Sequence, residues 1–489
     1  MMLIKDLLAP WFHYSGEESV KELQLDSRSI TLGDVFVAVP GYEVDGRKFI
    51  PSAFEKGANA VLVHTDEPEE HGKVTRSDQG LLIYFFRLNA QLSALAMQRY
   101  PVDPTRMTVI GVTGTNGKTT VTQLIAQLSE GIGKTAAVMG TTGNGLWGQL
   151  EETVNTTSDA ITVMRELHRY QNLGARTCAM EVSSHGLVQH RVDAVPFSTA
   201  IMTNLSRDHL DFHGDMRSYS KAKQTLFKFI SLNNGLLNFD DETAQSWRFD
   251  LKPQIARSFS LKDDINAEFY IEDAQFSNIG VQAQLVWPEG RAQLESPLLG
   301  MFNLSNLVAA IAALYLEGAD MNLLLEHAKY LKPAMGRMEQ YQKDDVAVVV
   351  DYAHTPDALE KALQTLRQHC QGDLWCVFGC GGDRDKGKRP IMAAAAESYA
   401  DNVVLTSDNP RREKPESIIE DVLTGFNEPE RITVCVDRVE AIKNSVKQAK
   451  QGDIILVAGK GHETYQEIDG VKHDYDERAL IARLMEACG

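Results

Sequence analysis

From residue 345 onward, extended apolar runs alternate with helical patterns five times. DVAVVVD precedes PDALEKALQTLRQ, DLWCVFG precedes RPIMAAAAESYA, and DNVVLTS precedes PESIIEDVLTGF. RITVCVD is followed by RVEAIKNSVKQA, and DIILVAG by a last helix ending near Met485. Strands alternating with helices of this length predict a parallel, doubly wound α/β sheet. Such sheets bind ligands outside the carboxyl ends of their strands. Four of the five strand exits (DYAHTPD, GCGGDRDKGK, SDNPRR, GKGHETYQ) are charged, Gly-rich or Pro-bearing, while DRVEAIK is plainer. That edge is expected to be a binding site.

A chain of 489 residues exceeds one ordinary core and predicts several domains. Boundaries are expected near 88 and 331. Residues 1–88 mix DVFVAVPG, NAVLVHT and GLLIYFF with turn signals; a larger α/β region covers 89–331, and the alternating region 332–489. A net charge of −18 argues against a general nucleic-acid binder, so positive charge for anionic substrates must be concentrated locally. The leading MMLIKDLLAPWFHYSGEE lacks a basic region followed by a long apolar core, and no apolar run approaches the roughly 18–20 residues of a membrane helix. Six scattered cysteines, Cys376 and Cys380 among them, predict reduced thiols. A cytoplasmic protein without membrane or nucleic-acid partner is expected.

The stretch VIGVTGTNGKTTVTQLIAQL (109–128) joins a β-branched run to a helix with Val121, Leu124, Ile125 and Leu128 on one face. A glycine-rich turn ending in Lys-Thr-Thr at a helix start suits phosphate. Backbone N–H groups and the helix dipole face the anion, Lys118 adds a point charge, and Thr119 is placed to ligate Mg²⁺. The usual spacing wants glycine where Val112 stands, so the loop is a variant. The loop alone leaves a GTPase-like switch or a kinase open.

CAMEVSSHGL (178–187) and TNLSRDHLDFHGDM (203–216) follow apolar runs and offer Glu181, His209 and Asp208 to a divalent metal. In SYSKAKQTLFKFI, Lys223 shares the apolar stripe with Tyr219, Leu226 and Phe227, whereas Lys221 and Lys228 face polar neighbours. A buried ammonium is costly and shifts toward neutrality, so Lys223 reads as snorkelling, paired or chemically modified.

Taken in order along the chain, DSRSITLGDVFVAVPGYEVDG, TGTNGKTT, NTTSDA, EVSSHGL, NLSRDHLDFHG, YSKAK, GRMEQ, DYAHTPDAL, GDRDKGKRP, DNPR and GKGHE resemble the Mur ligase family. The resemblance covers essentially the whole chain. It implies three α/β domains: a small mixed N-terminal domain for the UDP-linked substrate (1–88), a central P-loop-type ATPase domain (89–331), and a C-terminal Rossmann-like domain for an incoming amino acid (332–489). It also implies ATP-driven amide formation through an acyl phosphate. A monomer is expected.

By resemblance, Gly114, Thr115, Asn116, Gly117, Lys118, Thr119 and Thr120 hold ATP phosphates, with Asn303, Arg337 and Asp351 on the rest of the nucleotide. Thr119 and Glu181 serve one Mg²⁺ and His209 a second. Lys223 matches the family's carbamylated lysine, which turns an awkward buried cation into an anion suited to magnesium. Leu25, Ser27, Tyr42, Glu43 and Val44 match the uridine side. Asn155, Thr156, Thr157, Ser183, Gln189 and Arg191 match the muramoyl-peptide side.

The DNPR stretch, Asp408–Asn409–Pro410–Arg411, accompanies meso-diaminopimelate in the family, with UDP-N-acetylmuramoyl-L-alanyl-D-glutamate as the other substrate. The physics agrees: diaminopimelate ends in a second ammonium–carboxylate head where lysine has only an ammonium. Arg411 would fork onto that carboxylate, and Asp408 or Glu463 would take the ammonium. Arg384 and Gly459 match further contacts, and Arg412 is expected to face solvent. The alternative is the same ligation with L-lysine. A ligase adding D-Ala-D-Ala, a folate-polyglutamate ligase and a nucleotide-dependent switch fit fewer of these stretches.

Overall fold

A computed structural model describes residues 2–41, 44–77, 80–153, 155–262, 266–277, 279–333 and 335–487. The predicted contacts at Tyr42 and Glu43 lie outside these residues. Two compact units emerge, Met1–Phe259 with Ala312–Ala319, and Ser260–Ile311 with Asp320–Gly489.

The first unit opens with a five-stranded sheet in the order Leu23–Gln24, Val35–Ala38, Ala60–Thr65, Gly80–Phe86, Val74–Ser77. The first four strands are parallel and the last is an antiparallel hairpin partner. Val35–Ala38 and Ala60–Thr65 are buried throughout, which is why both read as unbroken apolar runs.

A second sheet of this unit runs Gln149–Glu151, Gly143–Leu146, Ala136–Gly140, Thr177–Glu181, Thr108–Thr113, Phe197–Met202, Asn234–Asn238, Ala256–Ser260. Its six strands from Ala136–Gly140 onward are parallel, with an antiparallel hairpin at one edge. Thr108–Thr113 lies between Thr177–Glu181 and Phe197–Met202, so chain leaving its carboxyl end enters the crevice where ligands bind in open α/β sheets. The helix Lys118–Gly131 follows and buries Val121, Leu124, Ile125 and Leu128, the predicted face.

In the second unit, Phe269–Ser277, Gly280–Trp287 and Gly290–Ser296 form an antiparallel meander. All five strands expected from the alternation are present and parallel, in the order Val346–Asp351, Ile454–Ala458, Leu374–Phe378, Asn402–Leu405, Thr433–Val434. Helices cover both faces, giving two cores, one around Val349, Phe378 and Leu456 and one around Val348, Val377 and Val457. An antiparallel edge strand, Glu339–Lys343, was not expected, because EQYQK carries no apolar run.

Candidate functional site

At the end of Thr108–Thr113 the chain turns through Gly114 (φ +145°) and Gly117 (φ +85°). A side chain at 114 would collide with Thr203 Oγ1, so glycine is required there by space as well as conformation. The turn is fixed from outside. Thr115 N–H donates to Asn204 O (2.8 Å), Asn116 N–H to Asn204 Oδ1 (3.0 Å), and Thr203 Oγ1 to Asn116 O (2.6 Å). Thr203 and Asn204 thus build the loop, although TNLSRDHLDFHGDM was singled out for Asp208 and His209. Thr119 and Thr120 occupy the first turn of the helix, whose leading N–H groups have no intrahelical acceptor.

Lys118 curls back so that Nζ donates to Gly114 O (3.0 Å) and Thr115 O (2.9 Å). Burial lowers its pKa, opposed by the charges of Glu181 and Asp208. Glu181 ends its strand 1% exposed. Its carboxylate accepts from Thr141 N–H (2.9 Å) and Thr141 Oγ1 (3.2 Å). Burial raises its pKa, against the Thr141 amide, Lys118 and the Thr119 hydroxyl.

Lys223 is buried with Tyr219, Leu226 and Phe227, as the helical stripe required, while Lys221 and Lys228 are exposed. Its Nζ donates to Gly114 O (2.7 Å) and lies 4.6 Å from the Tyr219 ring centroid. Two lysines therefore share one carbonyl. Burial, then repulsion from Lys118, lowers the Lys223 pKa to about 7, with Asp208 opposing.

His209 has a left-handed backbone (φ +51°) and sits edge-on to His185, with ring centroids 4.9 Å apart. Its Nε2 is 3.4 Å from Asp208 Oδ2. Among the described residues no three His, Cys, Asp or Glu side chains gather as a metal cage. Magnesium needs no such cage, because it binds through one or two carboxylates together with substrate phosphates and water. The contact of Thr119 with a buried carboxylate beside a phosphate-type loop fits that oxygen-rich pattern.

On the peptide side, Thr157 Oγ1 donates to Glu181 O (2.9 Å) and accepts from Ser183 N–H (3.0 Å). Ser183 caps the short helix Ser184–Val188, and Arg191 reaches Thr157 O and Gln189 Oε1. Thr156 accepts from Thr141 (3.1 Å), bringing Thr156, Thr157, Ser183, Gln189 and Arg191 beside Glu181. Asn155 lines a neighbouring cleft of about 350 Å³ with Ser158 and Asp159. In the N-terminal sheet region Ser27 is buried, Leu25 half-buried and Val44 exposed.

Within the second unit, Asp351 accepts from Met338 N–H and Ala353 N–H, both 2.9 Å. Arg337 lies 5.1 Å over the Tyr352 ring. Asn303 is 4% exposed and spends its amide on Leu299 O (2.8 Å).

The strand exits Asp408–Arg411 and Gly459–Glu463 come together. Asn409 Nδ2 donates to Glu463 Oε2 (2.9 Å), and a side chain at Gly459 would lie 2.9 Å from Asp408 Oδ2. Arg411 has φ +50°; its Nη1 donates to Gly382 O (2.9 Å) and its Nε is 3.3 Å from Glu467 Oε2. The guanidinium is therefore half-buried and already oriented. Pro410 keeps the turn stiff, and a Cβ on Gly381 would touch Arg411 Nη1 (2.8 Å), so bare backbone lines that side. Arg384 and Arg412 are exposed.

Three side chains here escaped sequence reasoning. Lys460 is fully buried between the acids, Glu467 pairs with Arg411, and Arg389 is fully buried against Glu413 and Asp421. The five described cysteines are free thiols, with Cys178, Cys376 and Cys380 buried. No helix among the described residues is long and apolar enough to cross a membrane.

Family models match in three consecutive pieces: the Mur ligase family catalytic domain at 19–100, the Mur ligase middle domain at 112–314, and the Mur ligase glutamate ligase domain at 336–461. The chain is 46% identical over 487 residues to UDP-N-acetylmuramoyl-L-alanyl-D-glutamate–2,6-diaminopimelate ligase of Vibrio vulnificus (strain YJ016), covering 99% of this chain and 98% of that one. A solved structure of the same kind of ligase aligns with TM-score 0.80 at 39% identity, over 100% of this chain and 99% of that one. The D-alanyl-D-alanyl ligase of Acinetobacter baumannii shares the fold, with TM-score 0.64 at 18% identity over 99% of this chain and 98% of that one. A phosphate-type loop beside a buried acid, an arginine-and-acid cluster at the strand exits of the second unit, and a likeness running the length of the chain lead to one conclusion: the chain belongs to the Mur ligase family.

Proposed function

We propose that this chain is an ATP-dependent carbon–nitrogen ligase that joins meso-2,6-diaminopimelate to UDP-N-acetylmuramoyl-L-alanyl-D-glutamate, forming a peptidoglycan precursor in the cytoplasm as a monomer. The observation that carries the reading is the meeting of two strand exits, one carrying an Arg411 guanidinium oriented by Gly382 O and Glu467, the other linked through Asn409–Glu463 and Lys460–Asp408 into an acid cluster. It offers a guanidinium to a carboxylate and acids to an ammonium. A lysine acceptor would bring no second carboxylate to the guanidinium, leaving it with Glu467 and Gly382 O only. The 46% full-length identity to the Vibrio ligase supports the same assignment.

The chemistry follows from the groups present. A carboxylate is a poor electrophile for an amine. Its oxygen therefore attacks the γ-phosphorus of ATP, the bond to the β-phosphate oxygen breaks, and ADP leaves. The amine nitrogen then attacks the acyl-phosphate carbon, and the tetrahedral adduct loses phosphate and a proton as the amide forms. Lys118 and the loop N–H groups offset moving charge, so catalysis is positioning and electrostatics. Mg²⁺ would supply charge neutralisation at the phosphates, held by Thr119, Glu181 and His209 with a carbamate on Lys223. The neutral Lys223 amine forms that carbamate by adding to CO₂ and releasing a proton; the Lys118–Lys223 repulsion then becomes attraction. Asn303, Arg337 and Asp351 would contact the rest of the nucleotide, Leu25, Ser27, Tyr42, Glu43 and Val44 the uridine end, and Asn155 to Thr157, Ser183, Gln189 and Arg191 the muramoyl peptide.

The test is a reaction of purified protein with ATP, Mg²⁺, the UDP-linked dipeptide and meso-diaminopimelate. ADP, phosphate and a product heavier by one diaminopimelate residue are expected in equal amounts. ATP hydrolysis with no such product would refute the proposal.

A further inference from the structure

Lys460 follows the strand Ile454–Ala458, between Gly459 (φ +119°) and Gly461 (φ +52°), and is fully buried. Its Nζ donates to Asn409 Oδ1 (2.9 Å) and Glu463 Oε2 (3.0 Å), and lies 3.5 Å from Asp408 Oδ1. A buried ammonium persists only when it is paired and hydrogen-bonded; here Nζ donates to two of these oxygens and holds the third, Asp408 Oδ1, as an ion-pair contact.

The consequences reach the neighbours. Asn409 Oδ1 receives both Lys460 Nζ and Glu467 N–H (2.9 Å), which fixes the amide orientation. The Asn409 NH₂ is thereby left to donate, and one hydrogen goes to Glu463 Oε2. Beneath the cluster, Arg438 and Glu477 pair at 2.8 Å, and Arg438 also donates to Ala458 O (2.9 Å), so that pair neutralises itself. Among the described residues, Lys460 is the cation that pairs with both carboxylates, Asp408 and Glu463. One negative charge is left over. Asp408 Oδ1, although buried, accepts no hydrogen bond among the described residues. An incoming ammonium supplies the missing charge and the missing donor together.

We propose that Lys460 is a positioning residue for the amino-acid acceptor, holding Asp408, Asn409 and Glu463 in the arrangement that receives the acceptor's ammonium. The proposal rests on the ligase reading above. Without Lys460, the two carboxylates repel each other and the Asn409 amide loses one of its two fixing donors. Arginine is no substitute, because its planar fork cannot serve three oxygens gathered around a point charge.

The test compares wild type with Lys460→Met and Lys460→Gln in steady-state ligation, with ATP binding and Tm as measures of fold. Both variants should bind ATP normally and raise the KM for diaminopimelate roughly 10- to 100-fold, the worth of a hydrogen bond to a charged group. Their KM for ATP and for the UDP-linked substrate should stay within about twofold of wild type. An unchanged diaminopimelate KM would overturn the proposal. So would equal losses toward all three substrates, or failure of both variants to fold, since Lys460 would then hold the domain rather than the acceptor. Wild type inactive with diaminopimelate would instead refute the ligase reading itself.

Discussion

Lys223 is a side chain whose chemistry the fold alters strongly. It is 1% exposed, its ammonium has one carbonyl to bond, and Lys118 bonds the same carbonyl. Burial first and Lys118 second bring its pKa from 10.5 to about 7. At 1.36 kcal/mol per unit, the site penalises the ammonium by about 5 kcal/mol. At pH 8 about nine-tenths of Lys223 is then neutral amine, against well under about one part in a hundred for an unperturbed lysine. Only the neutral amine adds to CO₂, so carbamate should form at Lys223 in bicarbonate buffer and fade as pH falls below about 7. Because the folded pKa lies below the unfolded one, the unfolded chain binds more protons between about 7 and 10.5. The unmodified protein therefore gains stability as pH rises through that window. The assay is ¹³C NMR with labelled bicarbonate at pH 8. One slowly exchanging carbamate resonance is expected in wild type and none in Lys223→Arg, whose turnover should fall by at least about 100-fold if the charge reversal matters as argued. No resonance in wild type, or full activity in Lys223→Arg, would refute the reasoning.

Arg411→Ala should raise the KM for diaminopimelate by about 100-fold and leave the KM for ATP unchanged; equal losses in both would contradict the acceptor site. Gly140→Ala would put a Cβ 2.6 Å from Glu181 Cδ, so turnover should collapse while the fold loses only about 1–3 kcal/mol, readable as kcat against Tm. Glu413 is held at about 2 by the Arg389 fork, helped by the Asp383 N–H. A depressed carboxylate stabilises above its unfolded pKa and loses that contribution as pH falls toward about 2, so Glu413→Gln should flatten acid unfolding between about pH 4.5 and 2. Identical acid-unfolding curves would rule that out.

Much of this was legible because it is local. The alternating runs after residue 345 carried the parallel strands, and the spacing of Tyr219, Lys223, Leu226 and Phe227 put an ammonium on a buried face. What stayed hidden depends on distant partners. Sequence order does not say that Ile454–Ala458 inserts between Val346–Asp351 and Leu374–Phe378. That insertion sets GKGHE beside DNPR and makes Lys460 the centre of the acid cluster, although a lysine between two glycines reads as an exposed turn. Arg389 looks like a surface residue of a helix start, yet is fully buried because Glu413 and Asp421 meet it from the next crossover. Thr203 and Asn204 shape the phosphate loop from about 90 residues away, a contact no periodicity encodes.

The most direct measurement of the central claim is kcat/KM of the wild-type protein for meso-diaminopimelate and for L-lysine, side by side, with ATP, Mg²⁺ and UDP-N-acetylmuramoyl-L-alanyl-D-glutamate saturating. Lysine lacks the carboxylate that Arg411 is oriented to receive, so the account predicts a preference for diaminopimelate on the order of 10⁴-fold. Comparable values for the two acceptors would contradict it.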